Sequence, residues 1–348
     1  MRRWSRHILF AEPVAPSRSR SFAKTLSIAL GVLSLVSVLS LGVGTYPISW
    51  GDFLSGSLGD TERSVLLSLR APRVLAALAA GATFGVAGAA MQSLFRNALA
   101  EPGLLGVPTA AALGAATSLV FLSVNSSFSL WPGALIGASV AMFALLAFIQ
   151  RQHHGATAQL LLIGVALNAA CAAGLALVTS LATEAQLRTL AFWMLGSFSN
   201  QSWGAVAAMI SVSLLAMAML LRDSRSLGAL ALGERTAKTL GVSLRGLRAR
   251  VAIACAFAVA IVTAFCGSVA FIGLAGPHIA RLLVGAQPSR VLPLAAVIGA
   301  LLCVIADVIA RALAAPVELP VGAITSFIGV PILLALVVSN ARLRAERL

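Results

Sequence analysis

Ionisable residues inside apolar stretches are rare in this sequence, and the clearest is Asp307, in VIADVIARALAAP. Arg311 follows one helical turn later on the same face, an i,i+4 ion pair if the stretch is helical. An unpaired aspartate at the centre of a membrane helix costs roughly 2.5–3.5 kcal/mol, so a pair near the end of a span is the economical arrangement. The chemical alternative, a proton or ion site driving secondary transport, rests on this one acid. Other chemistry is missing. The only lysines, Lys24 and Lys238, each follow an alanine, so there is no G-x-x-x-x-G-K-[ST] loop and no ATP hydrolysis of that kind. Neither H-E-x-x-H nor G-x-S-x-G occurs. Cys171, Cys255, Cys266 and Cys303 stand singly in apolar runs and read as small buried hydrophobes rather than metal or redox pairs. An intramembrane enzyme is therefore unsupported, and no metal or cofactor is expected on this chain.

One long charged stretch interrupts the apolar chain: Arg222 to Arg250, with nine ionisable residues in 29. Leu227, Leu230 and Leu232 lead to Gly233; Glu234, Arg235 and Lys238 then alternate with Ala237 and Leu240 before Gly241. Two glycines bracketing one or two helical turns predict a helix–elbow–helix lying on a membrane face.

The elements that carry these residues follow from composition. The 348 residues are 59% hydrophobic and 10% charged, with a mean hydropathy of +0.97. A soluble domain has about a quarter charged residues, so the fold is all-α and polytopic in a membrane. At about 20 residues per span, ten transmembrane helices are expected near 25–45, 73–94, 106–124, 132–150, 159–181, 204–221, 251–270, 275–286, 291–311 and 321–338. The eighth is short, and Gly273, Gly276, Pro277 and Arg281 are expected to interrupt it, which is tolerated where protein or a wet path surrounds the backbone. With both termini cytoplasmic, 20 of the 25 Lys and Arg residues fall inside and five, Arg63, Arg70, Arg73, Arg188 and Arg311, outside. Trp50, Trp131, Trp193 and Trp203 then fall near the outer interface. The net charge of +14 is thus a topology signal, not a nucleic-acid surface. Gly81-x-x-x-Gly85 predicts close helix packing. Residues 70–181 and 251–338 supply four spans each, the pattern of an internal repeat. The chain divides into a basic tail (1–24), one transmembrane domain (25–338, with 222–250 as its inner loop) and a second tail (339–348).

Three stretches resemble the permease subunits of ABC importers for iron–siderophore complexes, haem and vitamin B12. The first runs from Leu69-Arg70-Ala71-Pro72-Arg73 through Gly81, Gly88 and Gln92 to Arg96-Asn97-Ala98-Leu99-Ala100-Glu101-Pro102-Gly103. The second is Leu232-Gly233-Glu234, Ala237 and Leu240-Gly241-Val242. The third holds Phe271-Ile272-Gly273-Leu274, Pro277-His278-Ile279-Ala280-Arg281, Ala306-Asp307, Arg311, Glu318-Leu319-Pro320 and Gly329-Val330-Pro331. The chain departs from the family pattern at Ala98, usually proline, and at Pro108-Thr109-Ala110, usually Ser-x-Gly.

The resemblance implies a homodimer in the bacterial inner membrane, with two P-loop ATPase subunits beneath it that hold ATP and Mg, and a periplasmic binding protein docked above. Gly233, Glu234, Arg235, Ala237, Leu240 and Gly241 would couple to the ATPase. Arg70, Arg73 and Arg311 match docking positions for acids of the binding protein. Asn97, Leu99 and Thr157 map to inner loops that close the path in relatives. Among substrates, haem is slightly favoured over a ferric siderophore because Leu187-Arg188-Thr189-Leu190 and Phe192-Trp193-Met194-Leu195-Gly196-Ser197 look closest to haem permeases; vitamin B12 is the alternative.

Overall fold

The computed structural model describes residues 22–46, 48–122, 130–151, 157–199 and 201–345, and every regular element among them is a helix. The first basic tail lies almost wholly outside these residues. α1 (Phe22–Gly42) is followed by two short helices, α2 (Trp50–Ser55) and α3 (Asp60–Ser64). A π turn, Val65–Arg70, leads directly into α4 (Ala71–Phe95). Next come α5 (Val107–Phe121), α6 (Leu130–Arg151) and α7 (Thr157–Thr179), and then a short α8 (Glu184–Met194). After α9 (Trp203–Arg222), two small helices, α10 (Ser224–Ala231) and α11 (Glu234–Thr239), occupy the charged stretch. α12 (Leu244–Cys266), α13 (Ile272–Val284), α14 (Pro288–Ala312) and α15 (Val321–Ala345) complete the order.

A helix occupies each of the ten stretches expected to span: α1, α4 to α7, α9 and α12 to α15. Among the described residues six helices are long and apolar enough to cross a membrane unaided, and four shorter apolar helices complete the ten. The sequence reading missed α2, α3 and α8, which are too short and too polar to register as spans.

α4 is the spine of the bundle, buried along nearly its whole length and packed by α9, α12, α13 and α14. Its small residues permit this. A methyl group built at Gly81 would stand 2.2 Å from the Gly299 carbonyl oxygen, one at Gly85 2.1 Å from that of Ala295, and one at Gly88 2.0 Å from that of Gly273. Backbones in direct contact gain van der Waals packing that lipid cannot supply, which is how membrane helices associate.

The eighth span breaks in a different place from the one expected. α13 is a continuous helix through Gly276 and Pro277. The interruption lies just before it, where Gly267 has φ +70° and Phe271 φ +63°. Pro277 has no N–H for the Gly273 carbonyl; the Gln92 amide of α4 donates to that oxygen instead, at 3.3 Å. The proline is absorbed because a neighbouring helix satisfies the freed acceptor.

Candidate functional sites at the two ends of the bundle

Antiparallel packing gathers the charged residues at two ends. At one end, α1 runs out beside the π turn. Arg70 donates to the carbonyls of Leu41, at 2.7 Å, and of Tyr46. Arg311 donates to the Val43 carbonyl at 2.7 Å. The two guanidiniums thus cap the C-terminal end of α1, where carbonyls lack helical partners and cations are favoured. The π turn ends where Pro72 cannot donate a backbone hydrogen bond.

Asp307, 1% exposed, sits between two arginines rather than one. Arg73 Nε reaches its Oδ1 at 2.8 Å, and Arg311 Nη2 lies 3.1 Å from its Oδ2, a contact without hydrogen-bond alignment. Arg73 Nη1 continues to Glu318 Oε1 at 2.6 Å. The i,i+4 partner was legible; the second arginine and the second acid were not. A cavity of about 260 Å³ opens beside this network, lined by Tyr46, Ser68, Gln201 and Glu318 together with the three arginines.

The three arginines expected to be available for docking are not free. Arg70, Arg73 and Arg311 are 6–7% exposed, and each already holds carbonyl or carboxylate partners. The side chains of Arg70 and Arg73 turn into the protein. The reason is local. A buried guanidinium needs acceptors: the chain at the end of α1 supplies carbonyls to Arg70 and Arg311, and Asp307 and Glu318 supply carboxylates to Arg73. Glu318, whose side chain is 48% exposed, is the member of the network that meets the surface.

At the opposite end lie α10 and α11, as the spacing of the glycines predicts. Gly233 (φ +120°) and Gly241 (φ +80°) hold conformations that favour glycine, and neither meets anything a side chain would displace. Leu227, Leu230 and Ala237 are buried beneath the helices, whereas Leu232 and Leu240 are 71% and 62% exposed. Glu234 and Arg235 are also exposed. Two ion pairs pin the unit. Arg250 grips Asp223 with two bonds of 2.7 and 2.9 Å, and Arg248 meets Glu234 at 2.6 Å. The result is a rigid, exposed platform with two leucines on its rim.

Next to it, the 96–106 segment leaves α4 through Arg96, left-handed at φ +51°. Asn97 and Leu99 are both exposed, and the Leu99 N–H donates to Asn97 Oδ1 at 2.9 Å. Thr157 opens α7, and its side chain lies outside the described residues. Pro102–Leu105 forms a short 3-10 turn, and Gly106 then packs on α7 between Gly164 and Asn168. Thr109, the middle residue of Pro108-Thr109-Ala110, donates to the Asn168 side chain and ties α5 to α7. Glu101 Oε1 accepts from the Phe271 N–H at 3.2 Å. Burial pushes the Glu101 carboxyl above its ordinary range, against the opposing pull of that N–H. A phenylalanine in the left-handed region costs about 1–3 kcal/mol and persists only where its surroundings hold it.

The four cysteines are all free and buried, and no cluster of His, Cys, Asp or Glu suited to a metal occurs among the described residues.

Known proteins place this arrangement. Residues 32–339 match the model of the FecCD transport family. The hemin transport system permease protein HmuU of Yersinia pestis is 36% identical over 326 residues, covering 90% of this chain and 96% of that one. The vitamin B12 import system permease protein BtuC of Salmonella newport (strain SL254) is 39% identical over 319 residues, covering 91% and 95%. A solved structure of an inward-facing metal-chelate type ABC transporter superposes with a TM-score of 0.82 at 30% identity, covering 91% of this chain and 99% of that one. With both ends of the bundle and the break before α13 inside the matched region, the chain belongs to the FecCD transport family, membrane permease subunits of ABC transporters.

Proposed function

We propose that this chain moves an iron chelate from periplasm to cytoplasm as the permease of a binding-protein-dependent importer, working as a homodimer on two P-loop ATPase subunits that bind ATP and Mg. The platform of α10 and α11 carries the reading. It is pinned at its base by Asp223–Arg250, hinged by two glycines, and presents Leu232 and Leu240 where a lone protein has no use for them. Such a rigid element can transmit a partner's closure to the spans as one body. Gly233, Glu234, Arg235, Ala237, Leu240 and Gly241 are its coupling residues. The platform end then faces the cytoplasm, as the excess of basic residues there requires.

At the other end Arg70, Arg73 and Arg311 are read as the docking centre for acidic side chains of the binding protein. Their burial shapes how this works: an incoming carboxylate enters the 260 Å³ cavity and competes with Glu318 for Arg73. Complementary charge of this kind sets register and association rate more than affinity. Asn97, Leu99 and Thr157 are assigned to closure of the path at the cytoplasmic end. Haem is placed first among substrates, a ferric siderophore second and vitamin B12 third. Support for haem is the pair of exposed residues Arg188 and Phe192 on α8, a cation and an aromatic one turn apart that suit a flat, carboxylate-bearing ligand. Secondary transport through Asp307 is disfavoured, since its carboxylate is engaged with Arg73 and Arg311.

Two experiments test this. Purified in mild detergent, the chain should bring a P-loop ATPase with it, and Glu234→Arg should lose that subunit; transport without any such partner would overturn the reading. A deletion strain starved of iron should fail on haem and grow on a ferric siderophore, with the reverse pattern assigning siderophore and growth on both favouring vitamin B12.

A further inference from the structure

Phe271 is the point where three otherwise separate parts of the protein meet. Its N–H is held by Glu101 of the 96–106 segment, at 3.2 Å. Its carbonyl accepts the first bonds of α13, from Leu274 and Ala275 at 3.0 and 2.9 Å. Its side chain lies against Gly329 of α15 so closely that a methyl group there would stand 2.1 Å from Phe271 Cβ. Alongside, Gly273 faces Pro102 and Glu101 with room for no more than a methyl group, 3.0 Å from Pro102 Cδ. A bulky residue stays left-handed only while such contacts hold it. Breaking the Glu101 bond would remove one of the contacts that hold Phe271 left-handed beside Gly329, so the 96–106 segment and α15 both bear on that conformation.

We propose that Glu101 is a positioning residue of the transport cycle: by holding Phe271 left-handed beneath Gly329 it latches the 96–106 segment to α13 and α15, and the latch opens and closes once per cycle. This goes beyond the importer reading and rests on it. In this role Glu101 acts through Phe271, whose N–H it holds.

The test uses the whole transporter with its ATPase in vesicles, with uptake and ATP hydrolysis measured together. Glu101→Ala removes the acceptor and should lower substrate moved per ATP by about tenfold. Glu101→Gln keeps an oxygen for the Phe271 N–H and should restore near-normal coupling, a rescue that generic destabilisation does not give. A Pro102→Cys/Gly273→Cys pair should stop uptake when oxidised and recover on reduction, on a background where the native cysteines are buried. Unchanged coupling in a folded Glu101→Ala protein, or full uptake by the oxidised pair, would sink the latch. Wild-type vesicles that hydrolyse ATP but take up none of the candidate substrates would instead count against the importer reading.

Discussion

Arg73 Nε lies 2.8 Å from Asp307 Oδ1, joining the start of α4 to the end of α14 across 234 positions of the chain. The same guanidinium holds Glu318 at 2.6 Å, so one arginine ties together two acids of unequal burial. The unequal burial separates two consequences, one for stability and one for binding.

The stability consequence falls on Asp307. Asp307→Ala strands Arg73 and Arg311 as neighbouring buried cations, and removing one partner of a buried ionic group costs about 3–5 kcal/mol. We expect a large loss of thermal stability in detergent, measured by size-exclusion after heating. Adding Arg73→Met to Asp307→Ala should recover part of it, since the pair is then removed together.

Glu318 governs binding instead. Because it is half exposed, Glu318→Gln should change stability by less than about 1 kcal/mol. It frees Arg73 for an incoming carboxylate, so association with the binding protein should quicken and its dependence on ionic strength steepen. Stopped-flow association over a salt series measures both; a slower association would remove the competition.

Leu240 offers a clean probe of the platform. At 62% exposure, Leu240→Asp should leave the fold within about 0.5 kcal/mol of wild type. Co-purification of the ATPase should nevertheless be lost. Asp223→Ala should weaken the same association differently, by loosening the base gripped by Arg250.

The Glu101 carboxyl gives a pH dependence whose sign can be worked out. Its folded pKa is raised, so the folded state binds the proton more tightly than the unfolded chain. Stability therefore falls as pH rises from the ordinary carboxylate range through the raised value, and is flat beyond it. Glu101→Gln should flatten that slope, as read by thermal unfolding across acidic pH.

Much of this was legible in the sequence. Ten spans follow from hydropathy alone, and the α10–α11 elbow follows from Gly233 and Gly241, because local backbone demands are written in local residues. Asp307 was also legible, but only its helical neighbour Arg311 was within reach of a periodicity argument. Arg73 and Glu318 enter through tertiary packing, which no spacing encodes. The burial of Arg70 and Arg311 was hidden for the same reason: it depends on where the carbonyls of Leu41, Val43 and Tyr46 come to rest. The break before α13 was misplaced because Pro277 looked like the interruption, and its rescue by Gln92 lies on another helix.

The glycine contacts of α4 carry one more implication. Where Gly81, Gly85 and Gly88 press backbone on backbone against α14 and α13, a shift of one residue would drive an alanine methyl into a carbonyl oxygen. Close backbone contact of this kind holds α4 and α14 in one register, a fixed frame against which movement of the 96–106 segment and α15 can be measured.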